Sequence, residues 1–213
     1  MQVEIWSDIV CPWCYIGKRR FERALGEFAG ADQVQVRWRS FQLDPDFPVG
    51  VSEPVYDSLA KKMGAPIEQV EEMTARVTQV AAEEGLDYDL AGGVMVNTFD
   101  AHRLLQAAQD QGVGEGAHEV FLRAQLVQAR DLSEPEVLVE LAQEAGLEAG
   151  LARRVLGSDE YARQVREDVA LAQKLGGTGV PFFVLDRAFG ISGAQPVEVF
   201  VSALERARQA STA

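Results

Sequence analysis

The two cysteines of the chain stand three positions apart, and this spacing constrains the fold more than any other feature. Cys11 and Cys14 are the only cysteines in 213 residues, and they lie where a short apolar strand at 3–6 gives way to a helical pattern. A thiol that opens a helix faces unpaired backbone N–H groups and the positive end of the helix dipole, and both favour the thiolate. We therefore interpret Cys11 as a nucleophile at a strand-to-helix junction.

The second cysteine suits a different role. Cys14 lies one turn deeper on the same side of the predicted helix, where it can close a disulfide with Cys11 but is too enclosed to attack a large substrate. Pro12, between them, suits the first turn of a helix because its missing N–H would have had no intrahelical partner. Cys14 is thus interpreted as the resolving thiol.

The cysteine pair has three other interpretations. A zinc site needs two further ligands, but outside the pair the chain has no cysteine and only two histidines, His102 and His118. A zinc ion shared between two copies of the chain is therefore the only form of this interpretation left open. A structural disulfide over so short a loop stabilises little, and inert buried thiols are the third alternative. A CxxC at a strand-to-helix junction favours redox chemistry over all three, and we predict no metal site.

Charge and hydrophobicity narrow the possible partners. Twenty basic and thirty-three acidic residues give a net charge of −13, which argues against binding to nucleic acid or to an anionic membrane. No segment approaches the ~20 apolar residues of a membrane span, and the N-terminus shows no basic leader followed by an apolar run. We therefore expect a cytoplasmic protein.

The hydrophobic period changes twice along the chain. Strands are predicted at 2–7 and 34–41 on either side of a helix at 11–29, and the turn-rich residues 44–50 mark a candidate domain boundary. A helical pattern then continues for more than a hundred residues. After the glycine-rich stretch that follows, we predict a strand from Phe182, a hairpin partner and a last amphipathic helix. The order is β-α-β, a helical block, and β-β-α.

Several polar residues near these elements are weaker candidates. Asp8, just upstream of the cysteines, is a candidate for proton exchange with Cys14, with a loop or capping role as the alternative. His102, in the first turns of a predicted helix, is the kind of lone histidine that is more often packed or exposed than catalytic. The cluster Lys18-Arg19-Arg20 is most simply a solvated face, although a basic group near Cys11 could stabilise a thiolate or hold a substrate carboxylate.

One proline stands out by its position. Pro181 directly precedes an apolar strand, where it is awkward unless its peptide bond is cis or it is the first residue of the strand.

With a CxxC at the start of the first helix and a Val-Pro before the third strand, the chain resembles the thioredoxin fold, and the long helical insertion resembles the DsbA-like branch. More specifically, it is similar to the FrnE-type DsbA family of cytoplasmic dithiol oxidoreductases. The segments that carry this resemblance are 7–18, 41–45, 97–104, 179–181 and 191–195.

The resemblance implies an α/β protein, a thioredoxin fold with a large all-helical insertion. The thioredoxin domain would comprise 1–48 and 176–213, and the insertion 49–175. The implied activity is exchange of dithiol and disulfide with protein or small-molecule thiols and disulfides through a mixed disulfide. Cys11 would attack and Cys14 would resolve. The implied substrate contacts are Trp13, Val180 and a cis-proline at Pro181.

The resemblance also bears on cofactors and alternatives. It implies no bound cofactor, with glutathione as a possible redox partner. Relatives include glutathione-dependent 2-hydroxychromene-2-carboxylate isomerases and kappa-class glutathione transferases, which usually carry serine where this chain has Cys11. An isomerase or transferase, or a nonenzymatic chaperone or partner-binding module, are therefore the alternatives. Trp13 stands where DsbA proper commonly has histidine, so we expect a potential roughly between −270 and −120 mV.

Overall fold

The computed structural model describes residues 1–211; residues 212 and 213, assigned above to the second part of the thioredoxin domain, lie outside this range. The strands are β1 (Gln2–Ser7), β2 (Gln35–Ser40), β3 (Ser52–Pro54), β4 (Val94–Val96), β5 (Phe182–Leu185) and β6 (Phe189–Ser192). The helices are α1 (Pro12–Glu27), α2 (Val55–Met63), α3 (Ile67–Glu83), α4 (Phe99–Asp110), α5 (Gly114–Leu126), α6 (Pro135–Glu144), α7 (Ala149–Leu156), α8 (Ala162–Lys174) and α9 (Val197–Ser211). Within the described range, no helix is long and apolar enough to cross a membrane.

Strand β1 lies inside a four-stranded sheet with the order β2-β1-β5-β6. It runs parallel to β2 and antiparallel to β5, which forms a hairpin with β6. Val3 and Ile5 point to one face, where they share a core with residues of α1 and α9, whereas Trp6 packs on the other face beside Ala172 of α8. The sheet is therefore covered by helices on both faces, and the predicted thioredoxin fold is confirmed.

A network of buried charges joins the sheet to α8. Glu4 of β1 is 1% exposed. Its carboxylate accepts hydrogen bonds from the guanidinium groups of Arg39, at 2.9 Å from Nε, and Arg187, at 3.1 Å. Arg39 also donates to Asp168 of α8 at 2.8 Å. Burial opposes ionisation of Glu4, but the two arginines outweigh it and lower its pKa. These opposite charges join β1, β2 and α8 in addition to the apolar contact of Trp6 with Ala172.

The inserted segment contains more than the predicted helices. Helices α2 to α8 lie within it, but β3 and β4 also form a two-stranded antiparallel ladder in which Ser52 pairs with Val96. The expectation of an all-helical insertion therefore needs this addition. Strands of three residues are too short to show a period of two, so the sequence pattern gave no sign of them. The sequence pattern also gave no separate prediction of helix α2.

One aromatic pair joins the insertion to the sheet. His118 of α5 stacks on Trp38 of β2, with ring centroids 4.5 Å apart. Its Nδ1 lies 2.9 Å from the Gly114 carbonyl oxygen, so Nδ1 carries the proton and donates. The imidazole is 3% exposed. Burial lowers its pKa to about 3, which means that the folded protein holds this ring neutral far into the acid range.

The His118 pKa predicts an acid sensitivity. In the unfolded chain this histidine binds a proton below about pH 6.5, but in the folded chain it does so only near pH 3. The unfolded state therefore holds more protons between those values, and stability falls as the pH falls. We expect His118→Phe, which keeps the stacked ring, to reduce the slope of unfolding free energy against pH by up to about 1.4 kcal/mol per pH unit. Urea unfolding between pH 6.5 and 4.5 measures this, and an unchanged slope would contradict it.

Candidate active site

The two cysteines occupy the start of α1. Cys11 is the N-cap of the helix, Pro12 follows in the first turn, and Cys14 lies one turn further along. Both thiols are free and both are buried, with exposures of 4% and 1%. The backbone N–H of Cys14 donates to the Cys11 carbonyl at 3.0 Å, which closes the first turn. The predicted strand-to-helix junction is therefore present, with the helix beginning at Pro12.

The loop before β5 comes against the first cysteine. The Val180–Pro181 peptide bond is cis, as the resemblance implied. The Cys11 thiol donates to the Val180 carbonyl oxygen, with sulfur and oxygen 3.6 Å apart. The Pro181 carbonyl accepts from the Gly193 N–H at 2.8 Å. Residues about 170 positions apart in the chain thus meet at one sulfur atom.

A glycine permits this close approach. A Cβ atom added at Gly17 of α1 would lie 2.9 Å from the Pro181 Cγ and 3.4 Å from the Phe183 ring. Contacts under 3 Å are essentially absent between real side chains, so only glycine lets α1 lie this close to the proline loop. Sequence reasoning included Gly17 in the similar segment 7–18 but gave it no role.

The second thiol is enclosed by the turn before α1. The Asp8 backbone N–H donates to the Cys14 sulfur at 3.4 Å. Burial raises the pKa of the Cys14 thiol well above its usual value, and the neighbouring Cys11 sulfur raises it further. The Ser7 hydroxyl and the Asp8 N–H oppose the shift without cancelling it. Cys14 is therefore a protonated, shielded thiol.

The side chain of Asp8, whose backbone contacts this thiol, pairs with a buried histidine. Asp8 is 0% exposed and His102, on α4, is 1% exposed. One Asp8 oxygen lies 3.2 Å from His102 Nε2, and the other accepts from the Leu43 N–H at 2.8 Å. The other ring nitrogen of His102, Nδ1, has no hydrogen-bond partner in the described part of the chain.

The sequence predicted that His102 is a packed or an exposed residue, and the structure shows it packed. Its pairing with Asp8 was not predicted. No local pattern reveals a contact between residues 94 positions apart. The one usable signal was that the histidine belongs to the segment 97–104, which carries part of the family resemblance.

Tyr88, a residue that the sequence analysis did not identify, holds the start of α1. The Tyr88 hydroxyl donates to the Pro12 carbonyl at 2.6 Å. Burial raises the pKa of Tyr88, and the charges that Cys11 and Cys14 can carry raise it further, so this phenol stays a hydrogen-bond donor. Tyr88 belongs to the insertion, which therefore contributes directly to the geometry of the motif.

The basic cluster on α1 is not a solvated face. The Lys18 side chain is 4% exposed and its ammonium group lies 2.8 Å from a Glu119 oxygen. Burial opposes ionisation of Glu119, but hydrogen bonds from Arg19, Lys18 and Tyr15 prevail and lower its pKa to about 2. Arg20 pairs with Glu84 at 2.6 Å. The expectation of a solvated face is wrong because acidic residues of the insertion cover this side of α1.

The remaining candidate, Trp13, is 43% exposed between the two cysteines. Among residues 1–211 there is no cluster of three or more His, Cys, Asp or Glu side chains that could hold a metal ion.

Comparisons with known proteins show which family and which chains this protein resembles. Residues 2–205 match the family model described as DSBA-like thioredoxin domain. A probable DsbA oxidoreductase from Streptomyces coelicolor, SCO1869, is 47% identical over 98% of this chain and 90% of its own, with a TM-score of 0.95. The uncharacterized protein YwbO of Bacillus subtilis is 26% identical over 96% of both chains.

A more distant structure shares the fold alone. The cytosolic disulfide reductase DsbM from Pseudomonas aeruginosa is 22% identical, covers 100% of both chains and has a TM-score of 0.65. That protein has also been solved with GSH.

The Gly17 contact gives a prediction with a control on the same helix. Gly17→Ala places a methyl group against Pro181, so we expect a loss of about 1–3 kcal/mol of unfolding free energy and slower reaction of Cys11 with disulfides. Gly26 also lies in α1, and nothing lies within 4 Å of a Cβ added there. Gly26→Ala should therefore add about 0.5–1 kcal/mol. Denaturant unfolding and thiol-reaction rates measure both, and equal effects of the two variants would contradict the assigned contact.

Proposed function

The chain belongs to the family of DSBA-like thioredoxin domains, and from this membership we propose that it catalyses thiol–disulfide exchange through Cys11 and Cys14. The observation that carries the proposal is the position of the Cys11 sulfur. It lies at the N-cap of α1 and 3.6 Å from the Val180 carbonyl, with the shielded Cys14 one turn below. A helix N-terminus stabilises a thiolate by its dipole and its free N–H groups.

The proposed reaction has two exchange steps. The Cys11 thiolate attacks one sulfur of a substrate disulfide, that S–S bond breaks, and a substrate thiolate leaves while a mixed disulfide forms on Cys11. Cys14 then loses its proton and attacks the Cys11 sulfur, which releases the second substrate thiolate and leaves a Cys11–Cys14 disulfide. The reverse sequence oxidises a substrate dithiol. The raised Cys14 pKa keeps the resolving thiol unreactive until the mixed disulfide has formed.

We propose that substrate is held by the proline loop and by Trp13. The Val180 N–H has no hydrogen-bond partner in the described residues, so it can donate to the backbone of an extended substrate next to Cys11. Backbone pairing of this kind tolerates different side chains. The indole of Trp13, 43% exposed, would add an apolar surface two residues after Cys11. Protein and small-molecule thiols and disulfides are both proposed substrates.

Several further proposals rest on the resemblance rather than on geometry. We propose that no bound cofactor takes part, that glutathione can serve as a redox partner, and that the protein acts in the cytoplasm. The disulfide reductase DsbM, a cytosolic protein solved with GSH, supports the last two by analogy of fold. A titration of the cysteine pair against glutathione buffers tests the partner and measures the potential.

Insulin reduction tests the function as a whole. With dithiothreitol as reductant, the wild-type chain should accelerate precipitation of the insulin B chain, and Cys11→Ser should abolish the acceleration. Turnover of a glutathione-dependent substrate that survives Cys11→Ser would instead favour an isomerase or transferase. Absence of all turnover would favour a partner-binding role.

The division of labour between the cysteines predicts which variant traps substrate. Cys14→Ala removes the resolving thiol, so mixed disulfides on Cys11 should accumulate. Cys11→Ala leaves only a thiol that is 1% exposed, so none should form. Nonreducing gels after incubation with oxidised insulin separate these outcomes, and equal trapping by both variants would overturn the assignment.

We further propose that Asp8 accepts the proton that Cys14 releases during resolution, with His102 as a positioning residue. Support comes from the Asp8 N–H on the Cys14 sulfur and from the carboxylate held by His102 and Leu43. Asp8→Asn should slow release of the mixed disulfide by about 100-fold, the lower end of the usual range for acid–base groups, and leave its formation nearly unchanged.

A pair of His102 variants serves as the control. His102→Gln retains a donor that can reach Asp8 and should remain close to wild type in the release step, whereas His102→Phe should resemble Asp8→Asn. Stopped-flow traces resolve the two steps. Equal slowing of formation and release would show that these residues support the fold and not the proton transfer.

A further inference from the structure

An apolar cavity lies directly beside the cysteine motif. It has a volume of about 740 Å³ and is lined by residues of α2, α3 and the end of α5. Pro12 and Trp13 form its boundary on the side of Cys11. Its apolar lining includes Leu43, Leu59, Met63, Met73 and Leu126. Pockets that bind small molecules typically enclose about 300–1,000 Å³ and are mostly apolar, so this cavity has the size and the character of a ligand site.

Methionine is concentrated in this lining. The chain has four methionines, and three of them, Met63, Met73 and Met95, line the cavity. Met63 and Met73 are exposed, at 48% and 38%. Methionine is flexible and polarisable, so a surface rich in it adapts to apolar and aromatic groups of different shapes. Because the chain as a whole has few methionines, their clustering is a property of this cavity.

The charged residues that line the cavity have a net positive charge, whereas the protein as a whole is negative. Three charged residues line it, namely Asp44, Lys62 and Arg76. Lys62 is paired with Asp44 at 3.0 Å, but Arg76 forms no ion pair among the described residues. Glu72, one turn earlier on α3, is not within ion-pair distance of it. A chain with a net charge of −13 thus presents one unpaired cation beside an apolar cavity.

A buried polar group supplies a second anchor. Gln125 lines the cavity and is 3% exposed. Its Nε2 donates to the Val94 carbonyl at 2.6 Å, while its Oε1 has no hydrogen-bond partner in the described range. A buried acceptor without a partner is unfavourable, so a ligand that carries a donor to this part of the cavity would gain a hydrogen bond there.

We propose that this cavity binds the apolar body of a low-molecular-mass disulfide or thiol that carries an anionic group, and presents its sulfur to Cys11. The anion would lie at Arg76 and the apolar body among the methionines. Backbone pairing with an unfolded protein needs neither an apolar cavity of this size nor a cation at its edge, which is why a small molecule is the better fit. The exchange at Cys11 rests on the proposed function, whereas the binding of the small molecule does not.

The proposed exchange follows the two steps already given. The Cys11 thiolate attacks the nearer sulfur of the bound disulfide, the S–S bond breaks, and one thiolate leaves. Cys14 then loses its proton and displaces the second thiolate. Starting from the Cys11 thiolate, the cysteine pair is oxidised to a disulfide and the bound disulfide is reduced to two thiolates, with one proton released from Cys14.

Binding without chemistry is tested with 8-anilinonaphthalene-1-sulfonate, an aromatic anion that cannot exchange disulfides. Fluorescence titration should show saturable binding to the wild-type protein. Met73→Glu places a carboxylate in the cavity lining, where it would repel the anion, compete for Arg76 one turn along α3 and disfavour an apolar ligand; it should weaken binding at least about tenfold. Val199→Glu is the matched control, since Val199 is 41% exposed on α9 and does not line the cavity. Equal binding by both variants would overturn the proposal.

Recognition of the anion is tested with two aromatic disulfides of similar shape. The reduced protein is mixed with 5,5′-dithiobis(2-nitrobenzoate), which is anionic, or with neutral 2,2′-dithiobis(5-nitropyridine), and thiol release is followed by absorbance. Arg76→Gln should slow the anionic reagent by about two- to fivefold, the range of an exposed ion pair, and leave the neutral one unchanged. Arg37→Gln, which removes another exposed cation away from the cavity, should alter neither rate.

Insulin reduction distinguishes the remaining outcomes. If Met73→Glu impairs insulin reduction as strongly as the reaction with the anionic disulfide, and Arg76→Gln has no selective effect, the cavity holds protein side chains and the small-molecule proposal is wrong. If insulin reduction is absent from the wild type while the sulfonate still binds in the expected way, the proposed function fails and the ligand site stands. Loss of both would refute both.

Discussion

The buried carboxylate of Asp8 is the group on which the geometry of the site depends. Its two oxygens are held by His102 of the insertion and by the Leu43 N–H after β2, while its own N–H reaches the Cys14 sulfur. A carboxylate that is 0% exposed is tolerated only when hydrogen bonds replace its hydration. Because these partners come from segments distant in sequence, the tertiary fold, and not the local sequence alone, holds the turn before α1 in this form.

The insertion is consequently part of the active site and not an appendage to it. Tyr88 holds the Pro12 carbonyl, Glu119 accepts hydrogen bonds from the basic side of α1, and His102 meets Asp8. Trp13 remains exposed beside the apolar cavity, which is lined mostly by residues of the insertion. The helical segment therefore both holds the start of α1 and forms most of the wall of the cavity next to it.

Local sequence signals predicted the parts of the fold that local interactions determine. Alternating residues marked β1 and β2, and the CxxC marked the start of α1, because strand period and helix-start chemistry act over a few residues. The unusual position of Pro181 before an apolar strand was also evident from its neighbours in the sequence. The burial of Lys18 and the pairing of His102 with Asp8 could not be predicted from local signals, because each depends on a partner about 100 residues away. The three-residue strands β3 and β4 are likewise specified by their contact with each other.

The burial that shields Cys14 also sets a requirement for the proposed exchange. In the proposed exchange, a thiol that is 1% exposed and has a raised pKa would not compete with Cys11 for substrate, so the order of attack would stay fixed. The same burial would limit the access of solvent to Cys14 when it must lose its proton to attack the mixed disulfide. The proposed acceptor is the carboxylate of Asp8, the residue whose N–H already contacts the sulfur. In this proposal, the shielding of the resolving thiol and the need for a buried base follow from one arrangement.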